Sequence, residues 1–168
     1  ADRPLVVLLH GFGGFWWSWR HLLPQLHEAG YRAVAFDLRG YGDSDRPDST
    51  ADHAPYAKRA MAADAVALMH ACGYERFAVV GHDRGGRVAH RLALDHPAAV
   101  DRLAVLDIAP TLMMYARTDR AFATRYFWWF FLIQPAPLPE RMIGADPEAY
   151  LRHHLAGQSR TPGSRARR

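Results

Sequence analysis

Residues 77–87 read Phe-Ala-Val-Val-Gly-His-Asp-Arg-Gly-Gly-Arg, a short apolar run that breaks into a polar triplet framed by glycines. Phe77–Val80 has the composition of a buried strand, and 85–95 has that of a helix stopping before Pro97. Between them lies Gly81-His82-Asp83-Arg84-Gly85, with a glycine two positions either side of Asp83. Small residues at those places allow the tight strained turn of a nucleophile elbow, which pushes the central side chain out at the strand end. A helix N-terminus follows, and its dipole favours an anion there. A carboxylate so placed suits attack on saturated carbon, leaving an ester on the protein, and is poorly suited to ester or amide cleavage. Alone, GxDxG reads more plainly as a capping Asp after a glycine turn. The strand before it, the helix after it and a second glycine-rich turn upstream favour the chemical reading.

That upstream turn is His10-Gly11-Phe12-Gly13-Gly14, which follows Leu5–Leu9 (LVVLL), a continuous apolar run of the kind parallel strands buried on both faces require. Residues 18–29 have helical spacing, with Trp19, Leu22, Leu23 and Leu26 on one face and Gly30 as the stop. Arg32–Phe36 is a second strand ending at Asp37, and a polar loop with Gly40, Gly42 and Pro47 follows. An alanine-rich helix is predicted over 57–71, and a last strand over Leu103–Leu106, ending at Asp107. Strand and helix alternate with short connections, which specifies an α/β fold with a mostly parallel sheet and right-handed crossovers. After Pro110 the rhythm changes. Residues 111–133 are aromatic and without strand signals, Pro135, Pro137 and Pro139 come next, and a further helix is expected over 147–156. The organisation expected is a core over 1–110, a helical excursion over 111–156 and a tail over 157–168.

The 168 residues hold 21 Lys+Arg against 17 Asp+Glu, but four of the arginines and none of the acids fall in 157–168. Residues 1–156 are therefore neutral overall, and the basic character belongs to a tail expected to be solvated and unstructured rather than to a nucleic-acid surface. Cys72 is the only cysteine, which excludes an intramolecular disulfide framework and a cysteine-rich zinc site. No phosphate loop, metal cluster or nicotinamide fingerprint is present, so no cofactor and no metal are expected. The longest apolar stretch, Phe127–Ile133, is far too short to span a bilayer. With no secretory signal at the start, a cytoplasmic protein without membrane or nucleic-acid partners is expected, and a homodimer is left open.

Three blocks then carry a resemblance. HGFGG (10–14), DLRGYGDSDRP (37–47) and GHDRGGRVAHRLALDHP (81–97) resemble the α/β-hydrolase superfamily. GHDRGGR together with AVLDIAP (104–110) and YFWWFFLIQPAPLPERMIGADP (126–147) is similar to the haloacetate (fluoroacetate) dehalogenase family, over residues 4 to about 156. The fold implied is a partial α/β-hydrolase fold with the start of a helical cap. The resemblance implies that Asp83 is the nucleophile, that Arg84 and Arg87 clamp a substrate carboxylate, and that Asp107 orients a catalytic histidine. It also implies that the backbone N–H groups of Phe12 and Arg84 form the oxyanion hole, and that Trp129 donates to the departing halide. A guanidinium pair beside the nucleophile agrees with a small anionic substrate.

Trp128 departs from the family, which usually has histidine at that place. Indole donates one hydrogen bond but cannot become cationic, so chloride or bromide is expected to leave more readily than fluoride. The reaction implied is hydrolytic dehalogenation of a small 2-haloacid through an ester on Asp83. The water-activating histidine of this superfamily follows the last strand, and none of the ten histidines here stands in that position. The chain is therefore expected to be truncated and catalytically incomplete, with both sheet edges unfinished. The alternatives are an epoxide hydrolase of the same superfamily, kept alive by Tyr115, Tyr126 and Tyr150, and an inactive fragment.

Overall fold

The computed structural model describes residues 3–156. The Arg-rich segment 157–168 lies outside the described residues, so the expectation of an unstructured tail is not addressed. The chain divides after Met114 into two compact units. In the first unit, β1 (Leu5–Leu9), β2 (Arg32–Phe36), β3 (Phe77–His82) and β4 (Val100–Leu106) form one sheet in the order β2-β1-β3-β4. All three pairings are parallel. The connecting helices are α1 (Leu22–Glu28), α2 (Lys58–Ala71) and α3 (Arg84–Asp95).

Side-chain alternation along β1 explains both faces of the sheet. Leu5, Val7 and Leu9 pack with Met61, Met69, Phe77, Val79, Val88 and Leu92, under α2 and α3. Val6 and Leu8 point the other way, against Trp19, Leu22, Leu23 and Leu26 of the α1 side. Helices thus cover both faces, and β1 is apolar throughout because neither face meets water. Each such fully buried side chain contributes roughly 1.5–3 kcal/mol.

The chain leaves β1 toward β2 on one side and then returns to place β3 on the other side of β1. This reversal makes the β1/β3 boundary a topological switch point, where the loops after the two strands diverge and leave a crevice. Phe12 follows β1 and Asp83 follows β3, so both predicted site residues sit at its lip.

Boundaries differ from the sequence reading in three places. The helix expected over 18–29 is a 3₁₀ turn at Trp16–Trp19 followed by α1 from Leu22. Pro24 is the reason: a continuous helix from Ser18 would need a Pro24 N–H to reach the Arg20 carbonyl, whereas in α1 it occupies the first turn, where no such bond is made. β3 runs on to His82 and β4 begins at Val100, because their pairing extends from Phe77↔Val100 to His82↔Leu106. Within the helical excursion expected over 111–156, the proline-rich stretch, where no separate helix was delimited, contains α7 (Leu138–Ala145), with Pro139 in its first turn.

α4 (Thr111–Ala116) crosses the division between the units. The second unit holds α5 (Arg120–Arg125), α6 (Phe127–Phe131), α7 and α8 (Pro147–Ala156). Its interior is aromatic: Phe122 stacks on Tyr126 at 4.8 Å, and Trp128 meets the edge of His154 at 4.8 Å between centroids. No helix among the described residues is long and apolar enough to cross a membrane.

Candidate active site

Glycines shape the turn after β3 by removing side chains from places where backbone passes. A Cβ on Gly81 would strike the backbone of Gly85 and Gly86, and one on Gly85 would strike the carbonyls of Leu9 and His10. A Cβ on Gly11 would come within 2.9 Å of the Asp83 Cβ. Glycine at all three positions lets α3 start directly behind the strand end, with the loop after β1 against it. Asp83 takes up the resulting strain, at φ 47° and ψ −113°. A non-glycine residue held at positive φ costs about 1–3 kcal/mol and persists only where the surroundings impose it.

The Asp83 carboxylate is oriented by backbone. The Phe12 N–H donates to Oδ2 at 2.8 Å, and among the described residues no hydrogen bond engages Oδ1. Its own N–H donates to the Leu106 carbonyl at 3.2 Å, and its carbonyl accepts from the Arg87 N–H at 3.1 Å. The Arg84 N–H belongs to the first residue of α3, one of the donors that a helix leaves without an internal partner. The structure therefore brings Asp83, the Phe12 amide and the Arg84 amide to one turn.

The two arginines are both half-buried but differently held. The Arg84 guanidinium lies over the rings of Phe12 and Tyr41, 5.8 and 5.9 Å from their centroids. The Arg87 guanidinium donates to the Ala109 carbonyl at 3.0 Å, to Thr111 Oγ1 at 2.9 Å and to Met114 Sδ at 3.2 Å. Burial pushes the Tyr41 phenol above its ordinary pKa, with Arg84 pulling the other way.

His10, although beside the site, has no free nitrogen for proton transfer. Its Nε2 accepts from the Leu38 N–H at 3.0 Å, and its Nδ1 lies 2.9 Å from the Gly11 carbonyl. That assigns the proton to Nδ1. Burial lowers the imidazole pKa, against the raising effect of the Gly11 bond and of Asp37. Asp37 in turn ties two loops together, accepting from the Trp16 N–H at 2.7 Å and the Asp43 N–H at 3.0 Å.

Asp107 ends β4 at φ 55° and is exposed. Among the described residues no hydrogen bond or ion pair reaches its carboxylate. Trp128 and Trp129 lie on α6 in the second unit, where Trp129 packs on Tyr115 at 5.6 Å and Trp128 on Tyr126 at 5.1 Å. A cleft of about 690 Å³ lies by the 37–47 loop, lined by Asp37, Arg39, Asp45, Arg46 and Asp64 among others, and does not include Asp83. Its Arg39 is already held by both oxygens of Asp64 at 2.9 and 2.6 Å. Among the described residues no group of three or more His, Cys, Asp or Glu is arranged to hold a metal.

One residue at the site escaped the sequence reading. Lys58, the first residue of α2, is half-buried, and burial first, then the charges of Arg84 and Arg87, push its pKa down to about 8, with Asp83 pulling the other way. Its only sequence signal is that it is the sole lysine of the chain.

The family described as alpha/beta hydrolase fold matches residues 4–163. The chain is 51% identical to a fluoroacetate dehalogenase of a Burkholderia species, over 96% of this chain and 53% of that protein. It is 33% identical to epoxide hydrolase A of Mycobacterium tuberculosis, over 97% of this chain and 50% of that protein. A solved structure from Salmonella enterica, provisionally named an acyltransferase, superposes with a TM-score of 0.92 at 55% identity, covering 97% of this chain and 54% of the other. The chain spans about half the length of the curated relatives it matches.

Proposed function

The chain belongs to the alpha/beta hydrolase fold family, and from that premise we propose that it carries the nucleophile half of a dehalogenase acting on small 2-haloacids. The carrying observation is the Asp83 carboxylate at a strained elbow, with Oδ2 held by the Phe12 amide and Oδ1 without a hydrogen-bond partner among the described residues.

The division of labour between the two oxygens follows from that geometry. Oδ1 attacks the halogen-bearing carbon of the haloacid in line with the carbon–halogen bond. That bond breaks with its electron pair leaving as halide, and no proton moves. The product is an ester whose carbonyl oxygen is Oδ2. Hydrolysis then proceeds by addition of water at Cγ, and the negative charge develops on Oδ2, where the Phe12 N–H already points and to which the Arg84 N–H is assigned as the second donor. Arg84 and Arg87 supply the positive charge that holds the substrate carboxylate. The family resemblance, not a contact in the structure, assigns the departing halide to Trp128 and Trp129. Asp107 is assigned the orientation of a histidine that activates the water.

Epoxide hydrolysis is the second reading, favoured by the Mycobacterium relative's name and by the same kind of nucleophile. A carboxylate clamp has no partner on a neutral epoxide, so the two cations beside Asp83 favour the haloacid.

The test is intact-mass measurement after incubation with chloroacetate. A single carboxymethyl adduct on Asp83 is the expected result, and its absence, with styrene oxide giving an adduct instead, overturns the haloacid reading. Fluoroacetate is expected to react more slowly than chloroacetate, because Trp128 replaces a donor that could carry charge. Equal rates would remove Trp128 from the halide site.

A further inference from the structure

We propose that Tyr41 is a positioning residue for carboxylate recognition: its ring, with that of Phe12, holds the Arg84 guanidinium through ring faces, so that the N–H donors of Arg84 stay available to the carboxylate of a small acid. The inference rests on the reading of Arg84 as a carboxylate ligand, and it adds a specificity-determining residue to that site.

An arginine is ordinarily fixed through its N–H groups, and each bond that fixes it takes a donor away from a ligand. Arg39 commits its donors to Asp64 and the Pro55 carbonyl, and Arg76 commits its donors to Asp101 and the Ala98 carbonyl. Arg84 is held differently. Its guanidinium carbon lies 5.8 Å from the Phe12 ring centroid and 5.9 Å from that of Tyr41, and among the described residues no hydrogen bond or ion pair engages it. Attraction to a ring face acts on the charge and consumes no N–H. The planar fork that matches a carboxylate therefore remains whole.

The rings can do this because neither is free to retreat. The Tyr41 N–H donates to the Leu38 carbonyl at 2.9 Å, and the Tyr41 carbonyl accepts from the Ser44 N–H at 3.0 Å. That turn is folded around Asp37, whose carboxylate accepts from the Asp43 N–H and whose carbonyl accepts from the Ser44 hydroxyl. Gly42 stands in it at φ 50°, where a Cβ would strike the Asp37 carboxylate. Beside the Tyr41 ring, His10 meets it edge-on at 5.1 Å between centroids and 70° between planes, and both His10 nitrogens are engaged by backbone. Phe12 is pinned by its own N–H on Asp83 Oδ2. The loops after β1 and β2 and the start of α3 after β3 thus supply Phe12, Tyr41 and Arg84 in turn, at the carboxyl ends of the strands, where open parallel sheets bind ligands. A neutral substrate offers Arg84 no carboxylate, so Tyr41 matters for acids and not for their amides.

The test uses the full chain, with sodium acetate at constant ionic strength as the probe and its dissociation constant read by saturation-transfer NMR. A trifluorinated phenylalanine at position 41 keeps the shape of the ring and withdraws the negative potential from its face. Relative to Tyr41→Phe, it is expected to raise the acetate dissociation constant about threefold to fivefold. Tyr41→Leu removes the ring and is expected to raise the constant about fivefold to tenfold, whereas Tyr41→Phe stays within about twofold of the parent. Acetate binding that does not respond to fluorination overturns the proposal, and this arm decides the matter even if Tyr41→Leu fails to fold. A parent chain that binds no acetate overturns it too. In an Arg84→Met background, adding Tyr41→Leu is expected to change the constant by less than about twofold, and a further loss as large as in the parent would show that Tyr41 does not act through Arg84. Labelling of Asp83, located by peptide mapping, separates this role from a structural one. Tyr41→Leu is expected to raise the half-saturating concentration of chloroacetate in step with acetate, with the limiting rate within about twofold, and to leave labelling by neutral chloroacetamide unchanged. Equal slowing of both reagents overturns the proposal. The expected acetate responses without any Asp83 label uphold the role of Tyr41 and refute the nucleophile.

Discussion

β3 and β4 run side by side, and each delivers an aspartate at positive φ from its carboxyl end, Asp83 at 47° and Asp107 at 55°. The two ends are otherwise unlike. Asp83 is enclosed by the loop after β1 and the start of α3, and a backbone amide holds its carboxylate. Asp107 follows a strand whose Leu103, Val105 and Leu106 are 40–43% exposed, and nothing among the described residues binds its side chain. The Asp83 carboxylate is oriented by a backbone amide of the first unit, whereas among the described residues no hydrogen bond engages the Asp107 carboxylate.

The sharpest way to break the comparison is Asp83→Asn. The amide keeps the shape and can still accept from the Phe12 N–H, but it has no charge with which to displace halide. Complete loss of the chloroacetate adduct, at least about 100-fold in rate, is expected by mass spectrometry. An adduct persisting in this variant would move the nucleophile elsewhere.

Gly85→Ala is next in size. Its Cβ would enter the space of the Leu9 and His10 carbonyls, which are backbone and cannot swing aside. A loss of roughly 3 kcal/mol or more is expected in urea unfolding, in the class of overpacked core sites. Gly144 in α7 of the second unit is the control, because a Cβ there meets nothing within 4 Å. Gly144→Ala should be neutral or stabilising by up to about 1 kcal/mol. Equal effects at the two positions would mean that the elbow glycines are not steric requirements.

Lys58→Met tests the cost of the positive cluster. A lysine whose folded pKa lies near 8, against about 10.4 unfolded, binds fewer protons in the folded state between those two values. Stability therefore rises with pH across that window, and below pH 8 the full penalty is present. Removing the amine should stabilise the chain at pH 7 by on the order of 1–3 kcal/mol, and the gain should shrink toward pH 10.5. A thermal-melting difference that does not depend on pH would place the effect in packing rather than charge.

The parts legible in the sequence were those fixed by local pattern. LVVLL at 5–9 and RAVAF at 32–36 match β1 and β2 residue for residue; β1 is buried on both faces and has no polar residue, while β2 starts at the exposed Arg32 and is half-buried after it. GxDxG marked the elbow because each glycine answers to a particular backbone contact. β4 was read short because Asp101 and Arg102 look foreign to a buried strand, yet an exposed strand tolerates both. α7 was hidden by prolines that interrupt a helix anywhere but its first turn. Lys58 was invisible for a different reason: its lowered pKa comes first from burial and then from Arg84 and Arg87, 26 and 29 positions away, and neither is written in the local pattern.

Asp107→Asn is expected to produce the smallest effect. If Asp107 serves only to orient a histidine for the second step, the first step has no use for it. The carboxylate is exposed and makes no hydrogen bond among the described residues, so its removal leaves no buried group unsatisfied. The neighbouring link, from the Asp83 N–H to the Leu106 carbonyl, is backbone and survives the change. The rate of chloroacetate adduct formation should stay within about twofold of the parent chain, while Asp83→Asn abolishes it. A tenfold loss in Asp107→Asn would show that the end of β4 positions the nucleophile, and the two strand ends would then form one device rather than two.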